Sequence, residues 1–247
     1  MAALADLPLP TGLQALAVAS DPEASHRPPR WSADGWLLLR RGGAVTATIG
    51  GLAPASYGAS QLGGVVRYRL VPQSAHRPEL YLRGSAALDG SREHEVAFGF
   101  SLRPIAALPV VIAAEARINM QPGATRARPA AFAYTELPPL ALPLGVRAEV
   151  YGQAGYVGGN FASAFADGQL RVDRRLLASG RSDLRIGAGG WAGAQRGASR
   201  VDVGPTATIG LPIGGTASAR LALDWRFRIA GNAVPASGPA MTLSAGF

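Results

Sequence analysis

Arg220-Leu-Ala-Leu-Asp-Trp-Arg-Phe-Arg-Ile229 alternates without a fault. Leu221, Leu223, Trp225, Phe227 and Ile229 fall on one side of an extended chain. Arg220, Ala222, Asp224, Arg226 and Arg228 fall on the other, because successive side chains of a strand point to opposite faces. A slip of one residue would carry three arginines and an aspartate onto the apolar side, so the register is tightly specified. One face is broad and oily, the other charged. Which of the two meets the interior decides the fold.

The same two-residue period extends in both directions. Toward the C-terminus, Met241, Leu243, Ala245 and Phe247 oppose Thr242, Ser244 and Gly246. Toward the N-terminus the period predicts strands over Val201–Leu211, Asp183–Ala188, Gln169–Asp173, Val146–Tyr156, Val110–Ile118 and Glu95–Arg103. Weaker alternation marks Ala130–Glu136, Leu80–Leu88, Gly64–Leu70 and Trp36–Arg40. The total is about twelve strands, most near the ~9–11 residues that a tilted membrane-spanning strand needs. Short connections such as Asp89-Gly-Ser91 and Pro212–Gly215 alternate with longer ones such as Asn119–Thr125 and Gly158–Ala166, which predicts short turns at one end and long loops at the other.

Two architectures compete for such a pattern. A soluble β-sandwich would tuck the apolar faces between two sheets. A closed antiparallel transmembrane β-barrel would turn them outward to lipid and leave no free edge. The polar face carries arginine or acid on nearly every strand, with glycine, alanine and serine between them, and this favours the barrel. We therefore expect an all-β chain with a flexible, proline-rich N-terminal lead over residues 1–30 and the barrel over residues 31–247. Met1 to Ser20 lacks a basic start and carries Asp6, Pro8 and Pro10 within its apolar stretch, so it does not read as a signal peptide. Nor does any apolar run reach the ~20 residues of a spanning helix.

The formal charge of +8 comes entirely from arginine, since the sequence contains no lysine. A basic balance attracts anionic partners. In a closed barrel the charged faces would line the lumen, placing Arg67, Arg69, Arg83, Arg103, Arg117, Arg147, Arg171, Arg185, Arg220, Arg226 and Arg228 there with Glu115, Glu149 and Asp224. Glu95, Asp173 and Asp202 share those faces. This set reads either as ion pairs that satisfy one another or as a basic surface whose guanidinium forks hold an anionic polymer. Trp36, Tyr68, Tyr81, Phe132, Tyr134, Tyr156, Trp191, Trp225 and Phe227 stand near strand ends or on apolar faces and are candidates for interfacial girdles.

Signals for catalysis are thin. The three histidines, His26, His76 and His94, have no partner at metal-ligand spacing, and no cysteine offers a thiolate, so no metal or cofactor is expected. Ser91-Arg-Glu-His94 is the nearest approach to a nucleophile and base, and its turn position makes a poor pair. Gly42-Gly43 and Gly187-Ala-Gly-Gly190 precede no helix pattern and so make no phosphate loop. Neither a basic helix nor an aromatic-basic platform speaks for nucleic acid as a partner. The expectation is a monomeric barrel that is not an enzyme.

A strand that stops on its final aromatic, Phe247, resembles the last strand of bacterial outer-membrane barrels, which implies Phe247 as the insertion signal read by the barrel-assembly machinery. Further likeness lies in Tyr151-Gly-Gln-Ala-Gly-Tyr-Val-Gly158, Phe165-Ala-Asp-Gly168, Gly187-Ala-Gly-Gly-Trp191, Val201-Asp-Val-Gly-Pro205, Leu223-Asp-Trp-Arg226 and Gly238-Pro-Ala-Met-Thr-Leu-Ser244. In that order they resemble the C-terminal barrel of the phage-adsorption protein A family, over about residues 31–247. The family places tetratricopeptide repeats before its barrel, and these 247 residues carry none. The resemblance implies an outer-membrane location among outer-membrane lipid, and a part in the export or surface contact of an anionic exopolysaccharide. The alternative it implies is a structural or receptor barrel that adsorbs a phage protein or another partner. A membrane-embedded hydrolase is the third and weakest reading.

Overall fold

The computed structural model describes residues 29–41, 60–88, 93–160 and 162–247. Most of the proline-rich lead, with His26, lies outside them, as do Gly42-Gly43, Asp89 and Ser91. Twelve long strands are present: β1 (Trp31–Arg40), β2 (Gln61–Arg69), β3 (Glu79–Ala87), β4 (His94–Leu102), β5 (Val110–Gln121), β6 (Ala124–Thr135), β8 (Val146–Val157), β9 (Ser163–Ser179), β10 (Ser182–Gln195), β11 (Ala198–Gly214), β12 (Ala217–Gly231) and β13 (Gly238–Gly246). A two-residue strand, β7 (Leu140–Ala141), sits between β6 and β8. No helix among the described residues is long and apolar enough to cross a membrane.

Each long strand pairs antiparallel with the next long strand in sequence, and the meander closes on itself. At the seam β1 meets β13, from Asp34 opposite Gly246 to Arg40 opposite Ala240. Phe247 extends this ladder, exchanging backbone bonds of 3.0 and 3.2 Å with Ala33. The thinnest join is that of β6 with β8, five residue pairs from Ala130–Val157 to Tyr134–Gln153. Pro138 and Pro139 follow it, and because proline has no N–H to give a ladder, pairing lapses until β7 meets Arg147 and Ala148.

Burial is reversed relative to a soluble protein. Leu223, Trp225 and Phe227 are 49, 47 and 49% exposed, whereas Asp224 between them is 4% exposed. Phe98 and Ile229 stand out at 57 and 62%, while Arg117 is 2% exposed. So large an apolar exterior is untenable in water and suits hydrocarbon. A sandwich is excluded: the sheet is one closed ring, and its oily residues face outward.

Every strand expected from the alternation is present, and most are longer than the expectation. β9 continues past Asp173 through Arg174, Arg175, Leu176 and Leu177, where a bulge against β10 breaks the alternation. The expected division into short and long connections does not hold. Pro212–Gly214 is strand, and Asn119–Thr125 holds only the two-residue turn Pro122-Gly123. That turn is tight because Gly123 adopts φ of 81°, a left-handed conformation glycine enters freely. We call the end carrying the start of β1 and the finish of β13 the terminal mouth, and the other the distal mouth.

Candidate functional site

The lumen is the one place where the fold gathers chemistry. The odd positions of β2, β3, β4, β5, β8, β9 and β10 and the even positions of β1, β6, β11, β12 and β13 point inward, so each long strand delivers its charged face to a common interior. Three clusters result.

The first lies between β3, β4 and β5. Glu115 accepts from Tyr81 Oη at 2.7 Å, from Arg83 at 2.9 Å and from Arg117 Nε at 2.5 Å. Arg83 also donates to Glu95 at 2.5 Å. Two guanidiniums thus face two carboxylates, all buried. Behind them Val65, Tyr81, Phe132 and Phe165 build an apolar patch, and the Arg117 guanidinium lies 5.8 and 5.6 Å from the ring centres of Phe132 and Phe165.

The second cluster sits toward the terminal mouth. Arg147 and Arg185 converge on Asp173, Arg220 reaches Glu149 at 2.7 Å, and Asp183 lies 3.5 Å from Arg185. Three arginines meet three acids. Nearby, Arg67 pairs with Asp34, Arg69 with Glu79, and Arg103 with Glu136.

The third, toward the distal mouth, holds Arg40, Arg171, Arg200, Arg226, Asp202 and Asp224. Asp202 accepts from Arg200 at 2.6 Å and from Arg40 at 3.2 Å; Asp224 accepts from Arg226 at 3.0 Å, Arg171 at 3.1 Å and Thr206 at 2.7 Å. Arg226 lies 4.3 Å from the centre of the Trp191 ring. The β12–β13 connection closes over this end: Ala233 is buried, and its carbonyl accepts from Arg200 at 3.1 Å and from Arg228 at 2.8 Å.

Of the residues expected inside, Arg83, Arg117, Arg171, Arg185, Arg226, Glu115, Glu149 and Asp224 are fully buried in the lumen. Arg67, Arg69, Arg103, Arg147, Arg220 and Arg228 occupy its half-open ends. Arg40, Arg128, Arg200 and Asp167 were missed, although Arg200 stands two residues from Asp202 on the same face and the period itself marks it; Tyr151 and Gln153, which the period sets on the polar face beside Arg147 and Glu149, are buried there too.

The girdle expectation needs correction. Trp36, Tyr81, Phe132 and Trp191 are buried in the lumen and Tyr134 packs on the inner apolar patch, whereas Tyr156, Trp225 and Phe227 are exposed on the exterior and the half-buried Tyr68, on the outward face of β2, packs against the exposed Trp31. The reason is glycine. A side chain on Gly63 would enter the Trp36 ring, on Gly99 the Tyr81 ring, on Gly155 the Phe132 side chain, and on Gly189 the Trp191 ring. Inward aromatic residues occupy the space beside glycines, and the strand pattern does not distinguish such a ring from an outward one.

His94 is exposed at the start of β4, and His76 lies in the β2–β3 connection, its Nδ1 2.8 Å from the Arg103 carbonyl. The two stand at opposite mouths.

No family model matches the sequence, and no curated protein matches it. Several solved structures are similar to it. They include a bacterial polysaccharide outer membrane secretin (9% identity, TM-score 0.45, over 88% of this chain and 97% of that one). The COG4313 outer membrane channel from Pseudomonas putida F1 aligns at 12% identity and TM-score 0.45, over 92 and 98%. The beta domain of the Bordetella autotransporter Brka aligns at 10% and 0.44, over 88 and 98%. The closed ladder and the reversed burial decide the class on their own. This chain is an outer-membrane β-barrel.

Proposed function

We propose that the resting barrel does not conduct, and that it works by contact at its mouths as a receptor or docking barrel for a partner such as a phage protein. The observation that carries this reading is the set of ion pairs reaching across the lumen. Arg40 of β1 meets Asp202 of β11, Arg171 of β9 meets Asp224 of β12, and Arg220 of β12 meets Glu149 of β8, although two or three strands separate the members of each pair around the ring. Buried pairs of this kind hold only while each partner is compensated, so opening a path through them exposes charge on both sides. Purified barrel in planar bilayers should show no steady conductance, and replacing Glu149 and Asp224 with alanine should open one. Steady ohmic conductance of the unaltered protein would contradict the reading.

A second reading, passage or surface contact of an acidic exopolysaccharide, draws support from the arginine excess of the distal cluster and from the likeness to the phage-adsorption protein A family. Attraction there would be electrostatic, through guanidinium forks that match carboxylate. Charge reversal at Arg226 and Arg228 should then change the ion selectivity of any open state; unchanged selectivity would set this reading aside. In both readings the chain is a monomer surrounded by outer-membrane lipid, inserted by the barrel-assembly machinery through Phe247, and acts without covalent chemistry, cofactor or nucleic acid.

A further inference from the structure

The clusters of the lumen differ in their charge balance. Around Glu115 two arginines face two acids, and around Asp173 three face three. In the distal cluster four arginines, Arg40, Arg171, Arg200 and Arg226, share only Asp202 and Asp224, and all six side chains are buried. The adjoining Arg228 adds a further positive charge and finds only the Ala233 carbonyl and no acid among the described partners. Arg40 stands in Coulombic range of both Arg226 and Arg200, and Arg171 in range of Arg220 and Arg226 and of one further acid, Glu149, which is itself paired with Arg220.

The donors tell the same story. Arg40 Nε and Nη2, Arg171 Nε and Arg226 Nε are buried without a hydrogen-bond partner among the described residues, against a single unpartnered acceptor in the cluster, Asp202 Oδ1. A buried, uncompensated guanidinium is among the costliest groups a protein can hold. Four unmatched donors on three neighbouring arginines, beside an excess of two positive charges in the cluster and a third on Arg228, suit one kind of occupant. It is small, carries up to two negative charges, and offers several acceptor oxygens.

We propose that the distal cluster is a binding site for one small tetrahedral oxyanion, phosphate or sulfate, held chiefly by Arg40, Arg171 and Arg226. Guanidinium forks match such oxygens in geometry as well as charge. The β12–β13 connection, with Ala233 buried and its carbonyls bonded to Arg200 and Arg228, covers the cluster from the distal mouth and selects a free ion over one tethered to a sugar. The site asks only for a folded barrel; it is compatible with the receptor reading and competes with the exopolysaccharide reading for the same arginines.

The test is calorimetric titration of the full chain in zwitterionic detergent micelles, at constant ionic strength set with sodium chloride. Inorganic phosphate should bind saturably at one site per barrel. Arg40→Gln and Arg226→Gln should each weaken it at least about tenfold, the loss expected when a charge-assisted donor is removed. Arg196→Gln, in the β10–β11 turn, should leave it unchanged. A hexose 1-phosphate should fail to compete. Should a variant not fold, the unaltered barrel still decides: absence of saturable phosphate binding, or equal binding of the hexose phosphate, overturns the proposal.

Discussion

Glu115 shows what a single side chain is worth in this interior. It is 5% exposed and accepts from Tyr81, Arg83 and Arg117, so replacing it with alanine strands the Arg117 guanidinium and leaves Arg83 with Glu95 alone. Removing one partner of a buried pair costs about 3–5 kcal/mol, and the Glu115→Ala barrel should lose that much in urea unfolding from lipid vesicles. Glu136 also binds arginine, but its side chain is 35% exposed near the terminal mouth. Water screens it, and Glu136→Ala should cost at most ~1 kcal/mol in the same assay. Equal losses would show that the Glu115 cluster is not dry. At this scale the sequence revealed which residues turn inward, because a charge among alternating apolar residues betrays its face. It did not reveal their partners. That Arg40 meets Asp202 depends on closure of the ring, which brings together positions 162 residues apart.

Strands were the most legible elements, since twelve alternating runs became twelve staves. Their ends were not legible, because alternation fades where β9 and β11 leave the charged lumen and nothing distinguishes the two faces. The inward aromatics were hidden for a related reason: a ring's side of the wall is decided by glycines on this or a neighbouring strand. Gly99 on β4 lies beneath the Tyr81 ring of β3, and a methyl group there would strike both that ring and the Glu115 side chain. Gly99→Ala should therefore destabilise by about 1–3 kcal/mol, the usual cost of overfilling a packed site. Gly190→Ala, on β10 with open space around it, should be neutral or slightly stabilising. Unfolding midpoints of the two variants give the comparison, and similar values would remove the aromatic-on-glycine account. On the outer face of the same β4, Phe98→Arg should cost about 2–4 kcal/mol by placing a charge against hydrocarbon midway along the strand.

For the whole molecule, one physical inversion organises the rest: apolar side chains outward to lipid, paired charges inward. It explains why the ladder must close, why the charged faces recur on nearly every strand, and why the lumen is filled by bridges packed around a small apolar patch. Closure also predicts that the unboiled protein migrates faster than the boiled one in a detergent gel, with the shift lost in variants that fail to close. The inversion itself is open to direct measurement, because the chain contains no cysteine and takes single ones without interference. Cysteines placed one at a time from Leu221 to Ile229, spin-labelled in lipid vesicles, report exposure to oxygen dissolved in hydrocarbon. Oxygen relaxation should peak at 221, 223, 225, 227 and 229 and fall at every position between them. A flat profile, or labels at 223, 225 and 227 shielded from oxygen and water alike, would contradict the account.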